Sequence, residues 1–340
     1  MSAPSPASDV DRLRGLLTGL VLGDALGSSG PGAASAGTIR IGVAGQLACF
    51  TVDALIRAHC REVDKGIDTH RPMLVWLNQR RWARLQGLPV ADAENGMHSE
   101  RHTDDWLARV PAFVERRGSA PATAAAVASS RSADEEVRRE SQGAHGLVRS
   151  LPFAVAGAAL RAVHWADQAR DVARLTHAPV VGDLTLLATR WLVCAWSAGD
   201  AWRGAQLVMA TGADAEHLVR DTAREAFGSP AVADVLRGLA PDRSARSALV
   251  GGVYAALACA GPPFVEEALM TAAAAPKAGP GVAAVAGAAL GATHGVEALP
   301  SALVGRLEIR EEVDRLAVDL AGAVGLTPMQ TDLYASYPTL

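Results

Sequence analysis

The stretch RLRGLLTGLVLGDALG, residues 12–27, decides the fold. It reads as a helix with glycine at every fourth position, Gly15, Gly19 and Gly23. Residues four apart share one helix face. Each glycine inside a helix costs about 1 kcal/mol against alanine, so a stripe of three needs an offset. Close approach of a second helix backbone is the simplest one. A matching stripe, Gly287, Gly291 and Gly295, stands in the late stretch 282–295. Both stripes read first as structural, and the sequences flanking the two helices are expected to meet in space.

Working outward, helical periodicity recurs. Leu47, Phe50, Ala54, Leu55 and Ala58 line one face, and Leu184, Leu187, Ala188, Trp191, Leu192 and Ala195 another. Ile309, Val313, Leu316, Leu320 and Ala323 form a third, with Glu311, Glu312, Asp314 and Asp319 turned away. No long apolar–polar alternation appears, and residues 38–43 are the best candidate for a strand. The fold class is all-α. None of the polar breaks is long enough to divide the 340 residues. The expectation is one compact multi-helix domain over residues 11–340, behind a Pro/Ser-rich disordered tail over 1–10.

Hydrophobic residues make up 49% and aromatics only 4%, so the core is built from small side chains packed closely. The net charge is -4 and no basic stretch is present, which argues against a nucleic-acid partner. Cys49, Cys60, Cys194 and Cys259 stand far apart without zinc-ligand spacing. They read as small hydrophobes in a reducing cytoplasm. The first residues lack the charged and apolar regions of a signal peptide. The apolar stretches 249–259 and 282–295 are too short or too weakly apolar to span a bilayer, so no membrane partner is expected.

Five segments in order carry a resemblance. They are residues 12–27, LACFTVDALIRA at 47–58, SQGAHGLVRSLP at 141–152, LTH at 175–177 and AGAALGA at 286–292. Together they resemble the ADP-ribosylglycohydrolase family. The resemblance implies a single, mostly helical domain. Its enzymes remove ADP-ribose from proteins or hydrolyse related ADP-ribosyl compounds, with two magnesium ions held by a Thr-Asp-Asp-Thr motif and a Gly-Gly-Asp-x-Asp-Thr motif. Aligned through the flanking helices, the first motif falls on Gly42, Val43, Ala44 and Gly45. The second falls on Pro276, Lys277, Ala278, Gly279, Pro280 and Gly281. No Asp or Glu occurs between Asp24 and Asp53, nor between Glu267 and Glu297. Magnesium favours octahedral oxygen coordination with carboxylate help, and these positions offer no side-chain oxygen. The family's two magnesium ions, and any other cofactor, are therefore expected to be absent, and Lys277 puts a positive charge nearby.

The remaining candidates each have two readings. Asp24 is either a catalytic carboxylate at the rim of the old pocket or a cap on backbone N–H groups. Asp53 reads as a surface or capping acid. Arg149 and His145, with Gly146, lie in the segment that resembles the family's ligand-contacting loop. Arg149 would pair with a phosphate or satisfy loop carbonyls, and His145 would stack on or hydrogen-bond a nucleotide. His177 matches a family position but also suits a structural role at a helix end. His98, Glu100, His102, Asp104 and Asp105 form a metal-like cluster that lacks the His-Glu-x-x-His spacing and reads as a solvated loop. The leading expectation is a protein that has lost dinuclear-magnesium hydrolysis and binds ADP-ribose, NAD or a related nucleotide through Arg149, His145 and the emptied cleft. One alternative is a metal-independent enzyme, with Asp24 as acid or base and Lys277 or Arg149 stabilising negative charge. The other is a scaffold that binds a protein partner. An open pocket lined by Gly42, Ala44 and Ala278, with Arg149 pointing inward, would favour the first two.

Overall fold

The computed structural model describes residues 7–30, 37–92, 106–133, 135, 139–160, 164–210, 216–228, 233–259, 261–328 and 333–338. The first half carries α1 (Asp9–Ser29), α2 (Val43–Lys65), α3 (Arg71–Leu85), α4 (Pro111–Val114), α5 (Pro121–Ser129), α6 (His145–Ser150), α7 (Phe153–Ala159) and α8 (His164–Arg174). The second half carries α9 (Pro179–Ala198), α10 (Ala201–Met209), α11 (Glu216–Gly228), α12 (Ala233–Leu239), α13 (Ala245–Ala258), α14 (Val265–Ala273) and α15 (Gly279–His294). It ends with α16 (Ser301–Val304), α17 (Arg310–Ala323) and α18 (Leu333–Ser336). Among the described residues the only β contacts are two isolated bridges, Ile39 with Leu307 and Gly143 with Ser244. The strand expected over 38–43 is thus one bridge: Ile39 N–H donates to Arg306 O at 2.8 Å, and Glu308 N–H returns to Ile39 O at 3.1 Å.

Helices α1 and α15 form the centre. The glycine stripes meet as their spacing predicts. A Cβ built on Gly15, Gly19 or Gly23 would overlap the backbone of Gly291, Gly287 or Ala283 respectively. Backbone therefore lies on backbone, and no side chain fits between the two axes. Around this pair pack α2, α13, α14 and α17. Nearly every residue of α15 and most of α1 are buried. A helix buried on all sides shows no apolar stripe, which is why residues 281–289 of α15 read as an unbroken Ala/Gly/Val run.

Helix α1 begins at Asp9, capped by Ser8, whose hydroxyl accepts from Asp11 N–H at 3.1 Å. The helix thus enters the stretch expected as tail, because Ser followed by Asp9 and Asp11 makes a good N-terminus. Helix α2 stops at Gly66, which takes the left-handed conformation (φ 63°) and returns its N–H to Glu62 O. No helix among the described residues is long and apolar enough to cross a membrane. The four cysteines are free, three of them buried and Cys194 half-buried.

Candidate functional site

The last turn of α1 brings the two motif stretches together. On one side of it, a Cβ at Gly42 would strike the Asp24 carboxylate and the Ser28 hydroxyl, and one at Gly45 would lie 2.9 Å from Asp24 Oδ2. On the other side, a Cβ at Gly27 would strike the Gly279–Pro280 backbone. Gly281 faces Ala248 and Ala144, where its Cβ would lie 2.9 and 3.1 Å from theirs. The N-terminal turns of α2, α6, α13 and α15 thus converge near the end of α1. Gly42, Val43, Ala44, Ala278 and Gly281 are buried, and Pro280 is half-buried.

Asp242 at the α13 N-terminus is exposed, whereas Asp24 lies inside this convergence. It is 1% exposed, and its Oδ2 accepts from Gly45 N–H at 2.8 Å. Gly42 carries no side chain with which to cap α2. Asp24 supplies the missing cap from a neighbouring helix, satisfying N–H groups that no residue within α2 reaches. Burial pushes its pKa up to about 7, against the opposing pull of hydrogen bonds from the Gly45 and Gly42 N–H groups and the Ser28 hydroxyl. The folded pKa lies above the unfolded one. The stability tied to Asp24 is therefore complete below the unfolded carboxylate range and is lost as pH rises toward 7. Asp24→Asn keeps an acceptor for Gly45 but does not ionise. Its stability relative to the natural chain is expected to improve between pH 4 and pH 7, by up to about 4 kcal/mol at about 1.4 kcal/mol per pKa unit. Urea unfolding at several pH values checks this, and a difference that stays constant with pH refutes it.

Among the described residues, the two motif stretches offer no side-chain oxygen to a pair of magnesium ions. The space beside Gly42 is filled by Asp24, whose oxygens are committed to backbone donors. Val43 packs against Gly118, while Ala44 and Ala278 bring only methyl groups. Among the described residues no group of three or more His, Cys, Asp or Glu side chains could hold a metal ion. The cluster from His98 to Asp105 lies outside the described residues.

The central segment supplies the other candidates. Arg149 on α6 is fully buried. Its Nη1 donates to Thr123 Oγ1 at 2.9 Å, and its Nη2 donates to Val172 O at 3.0 Å and Thr176 Oγ1 at 2.7 Å. Burial lowers its pKa to about 9. Thr176 Oγ1 in turn stands 2.6 Å from His177 Nδ1. An arginine only donates, so the threonine proton is left for the histidine. Burial lowers the His177 pKa to about 2, assisted by the Arg149 charge and by His145, so the ring is neutral. Gly146 makes room for that ring, which a Cβ there would meet at 2.7 Å. Arg149, Gly146 and His177 therefore form one structural knot that locks α6 against α5 and α8.

His145, at the start of α6, is half-buried. Burial, with the charges of Arg149 and Arg243, holds its pKa down to about 4. Lys277 is exposed. It does not fill the space beside Asp24, and its field falls on Asp242, where it is the smallest of the influences lowering that carboxyl. The larger ones are the Ser244 and Ser247 hydrogen bonds at the α13 N-terminus.

Asp53 departs from its sequence reading. It is completely buried, not a surface acid. Arg57 Nε donates to it at 2.6 Å, Arg81 Nη1 at 2.9 Å and Asn78 Nδ2 at 2.7 Å. Burial pushes its pKa up, but the two guanidinium groups and the hydrogen bonds outweigh that and hold it below the ordinary carboxylate range. The Arg57 contact was visible in sequence as an i,i+4 pair. The contacts from Asn78 and Arg81 depend on how α3 docks. Two open grooves, of about 430 and 270 Å³, lie elsewhere. Arg14 and Arg310 line the first, Trp76 and Asp171 the second.

No curated protein matches the chain by sequence. A solved structure described as an ADP-ribosylglycohydrolase-related protein complex matches 93% of this chain and 99% of its own at 18% identity, with a TM-score of 0.60, which establishes the likeness of fold. The ADP-ribosylglycohydrolase family model matches residues 5–328, nearly end to end, and the chain belongs to that family.

Proposed function

We propose that this chain is a non-hydrolytic member of the ADP-ribosylglycohydrolase family. One observation carries the reading: both stretches where the family places its metal ligands are helix N-termini without a side-chain oxygen, and Asp24, the nearby carboxylate, caps α2. Two-metal hydrolysis needs carboxylates to hold the ions that activate water and orient the sugar. A nucleotide of the ADP-ribose class would meet only the rim of the convergence, where exposed Arg243 and Lys277 give a positive entrance beside the half-buried, neutral His145 ring. Arg149, held by Thr123, Val172 and Thr176, is not free to turn toward a phosphate.

Calorimetric titration with ADP-ribose, with and without magnesium, tests this together with a turnover assay on an ADP-ribosylated substrate. The expected result is no magnesium-dependent turnover and a binding isotherm, if one is seen, that ignores magnesium. Magnesium-dependent binding or product release overturns the proposal. The near-neutral pKa of Asp24 favours a second reading, a metal-independent enzyme with Asp24 as acid or base. Turnover without magnesium that Asp24→Asn abolishes would establish that reading instead.

A further inference from the structure

The described chain ends in a segment that the family resemblance does not reach. Residues 333–338, which include α18, lie against α2, α17 and Trp106. Tyr337 is 0% exposed. Its hydroxyl donates to Asp319 Oδ2 at 2.7 Å, and its ring meets Trp106 edge-on at 6.3 Å. Arg57 Nη1 donates to Pro338 O at 2.9 Å, and Arg315 Nη2 to Ser336 Oγ at 2.8 Å. Leu333 is the other buried side chain of the segment.

The groove side keeps its own pairings. Arg57 is paired with Asp53 at 2.6 Å, and Asp319 with Arg315 at 3.7 Å. The Arg315 guanidinium also lies over the Trp106 ring at 4.2 Å. Removing the segment would strand no unpaired buried ion there, which is the usual large penalty for breaking a charged contact. The buried side chains that the segment contributes are one aromatic ring and one leucine, alongside the polar contacts of the Tyr337 and Ser336 hydroxyls and the Pro338 carbonyl. Segments held by few apolar contacts open locally before the domain unfolds.

We propose that residues 333–338 form a detachable strap, and that the groove between α2, α17 and Trp106 is a peptide-binding groove filled by the chain's own Tyr337-Pro338. The groove reads an aromatic hydroxyl through Asp319 and the following proline carbonyl through Arg57. The strap opens as a unit while α1 and α15 stay folded.

The test uses the full chain. A fluorescent peptide of residues 333–340 is titrated into the natural protein and into the Tyr337→Ala variant. The variant is expected to bind the peptide at least about tenfold more tightly, because its own strap competes poorly. A Tyr337→Phe peptide is expected to bind about tenfold more weakly than the natural peptide, for loss of a hydrogen bond to a charged acceptor. Equal binding to both proteins, or no binding to a folded Tyr337→Ala variant, overturns the proposal. Should that variant fail to fold, hydrogen exchange on the natural protein decides. The Tyr337 amide, bonded to Leu333 O, is expected to exchange far faster than the Gly295 amide at the end of α15. Exchange of both at one common rate overturns the strap.

Discussion

Gly287→Ala is expected to destabilise the protein by about 3 kcal/mol, while Gly238→Ala stabilises it by up to about 1 kcal/mol. The two substitutions are chemically the same, and both lie inside helices. In an isolated helix each would help, because alanine loses less backbone freedom on folding than glycine. The surroundings reverse the sign at Gly287. A Cβ there would overlap the Gly19 carbonyl, which belongs to the backbone of α1 and has no rotamer to change. The helix axes must separate, and contacts among the paired glycines are lost along both helices. At Gly238 on α12, nothing lies within 4 Å of the added methyl group. Gly19→Ala is expected to match Gly287→Ala, since its Cβ overlaps the Gly287 carbonyl in return. Thermal and urea unfolding measure all three. If Gly287→Ala and Gly238→Ala shift stability in the same direction, the close packing of α1 on α15 is wrong.

These glycines also show why so much of the fold was legible in the chain. A backbone-to-backbone contact admits one residue type, so the requirement appears directly as spacing in the sequence. The converging motif stretches follow from the same pair of helices, because they flank its ends. The roles of individual side chains were less legible. Asp24 and Arg149 each had two readings, since a carboxylate that caps a helix and one that acts on a ligand look alike in sequence. What separates them is the direction of Gly45 N–H and the positions of Thr123 and Thr176, which come from distant elements. Asp53 was misread because two of its three partners stand on α3. The 333–338 segment gave no signal, as its anchors Arg57, Asp319 and Trp106 lie on three separate parts of the chain.

Asp53→Ala is expected to cost about 3–5 kcal/mol, the range for removing one partner of a buried ion pair. Asp53 serves two guanidinium groups whose side chains are 4% and 1% exposed. Without it, Arg57 and Arg81 face each other as like charges in an interior that water does not reach, and Asn78 loses its carboxylate acceptor. Asp53→Asn is expected to fall between the natural chain and Asp53→Ala, since it keeps the shape and one acceptor but removes the charge. The pH dependence separates the charge from the cavity. The folded pKa of Asp53 is depressed. Its contribution is therefore present above the unfolded carboxylate pKa and is lost as pH falls through the folded one. The gap between the natural protein and Asp53→Ala should narrow steadily as pH drops below about 4. Asp24 has the opposite sign and a higher window: the Asp24→Asn difference closes as pH falls from 7 to about 4, by gain in the natural protein. Urea midpoints across pH 3 to 8 for both variants test the pair. A gap for Asp53→Ala that does not narrow in acid would mean that its cost comes from lost packing rather than from the stranded arginine charges.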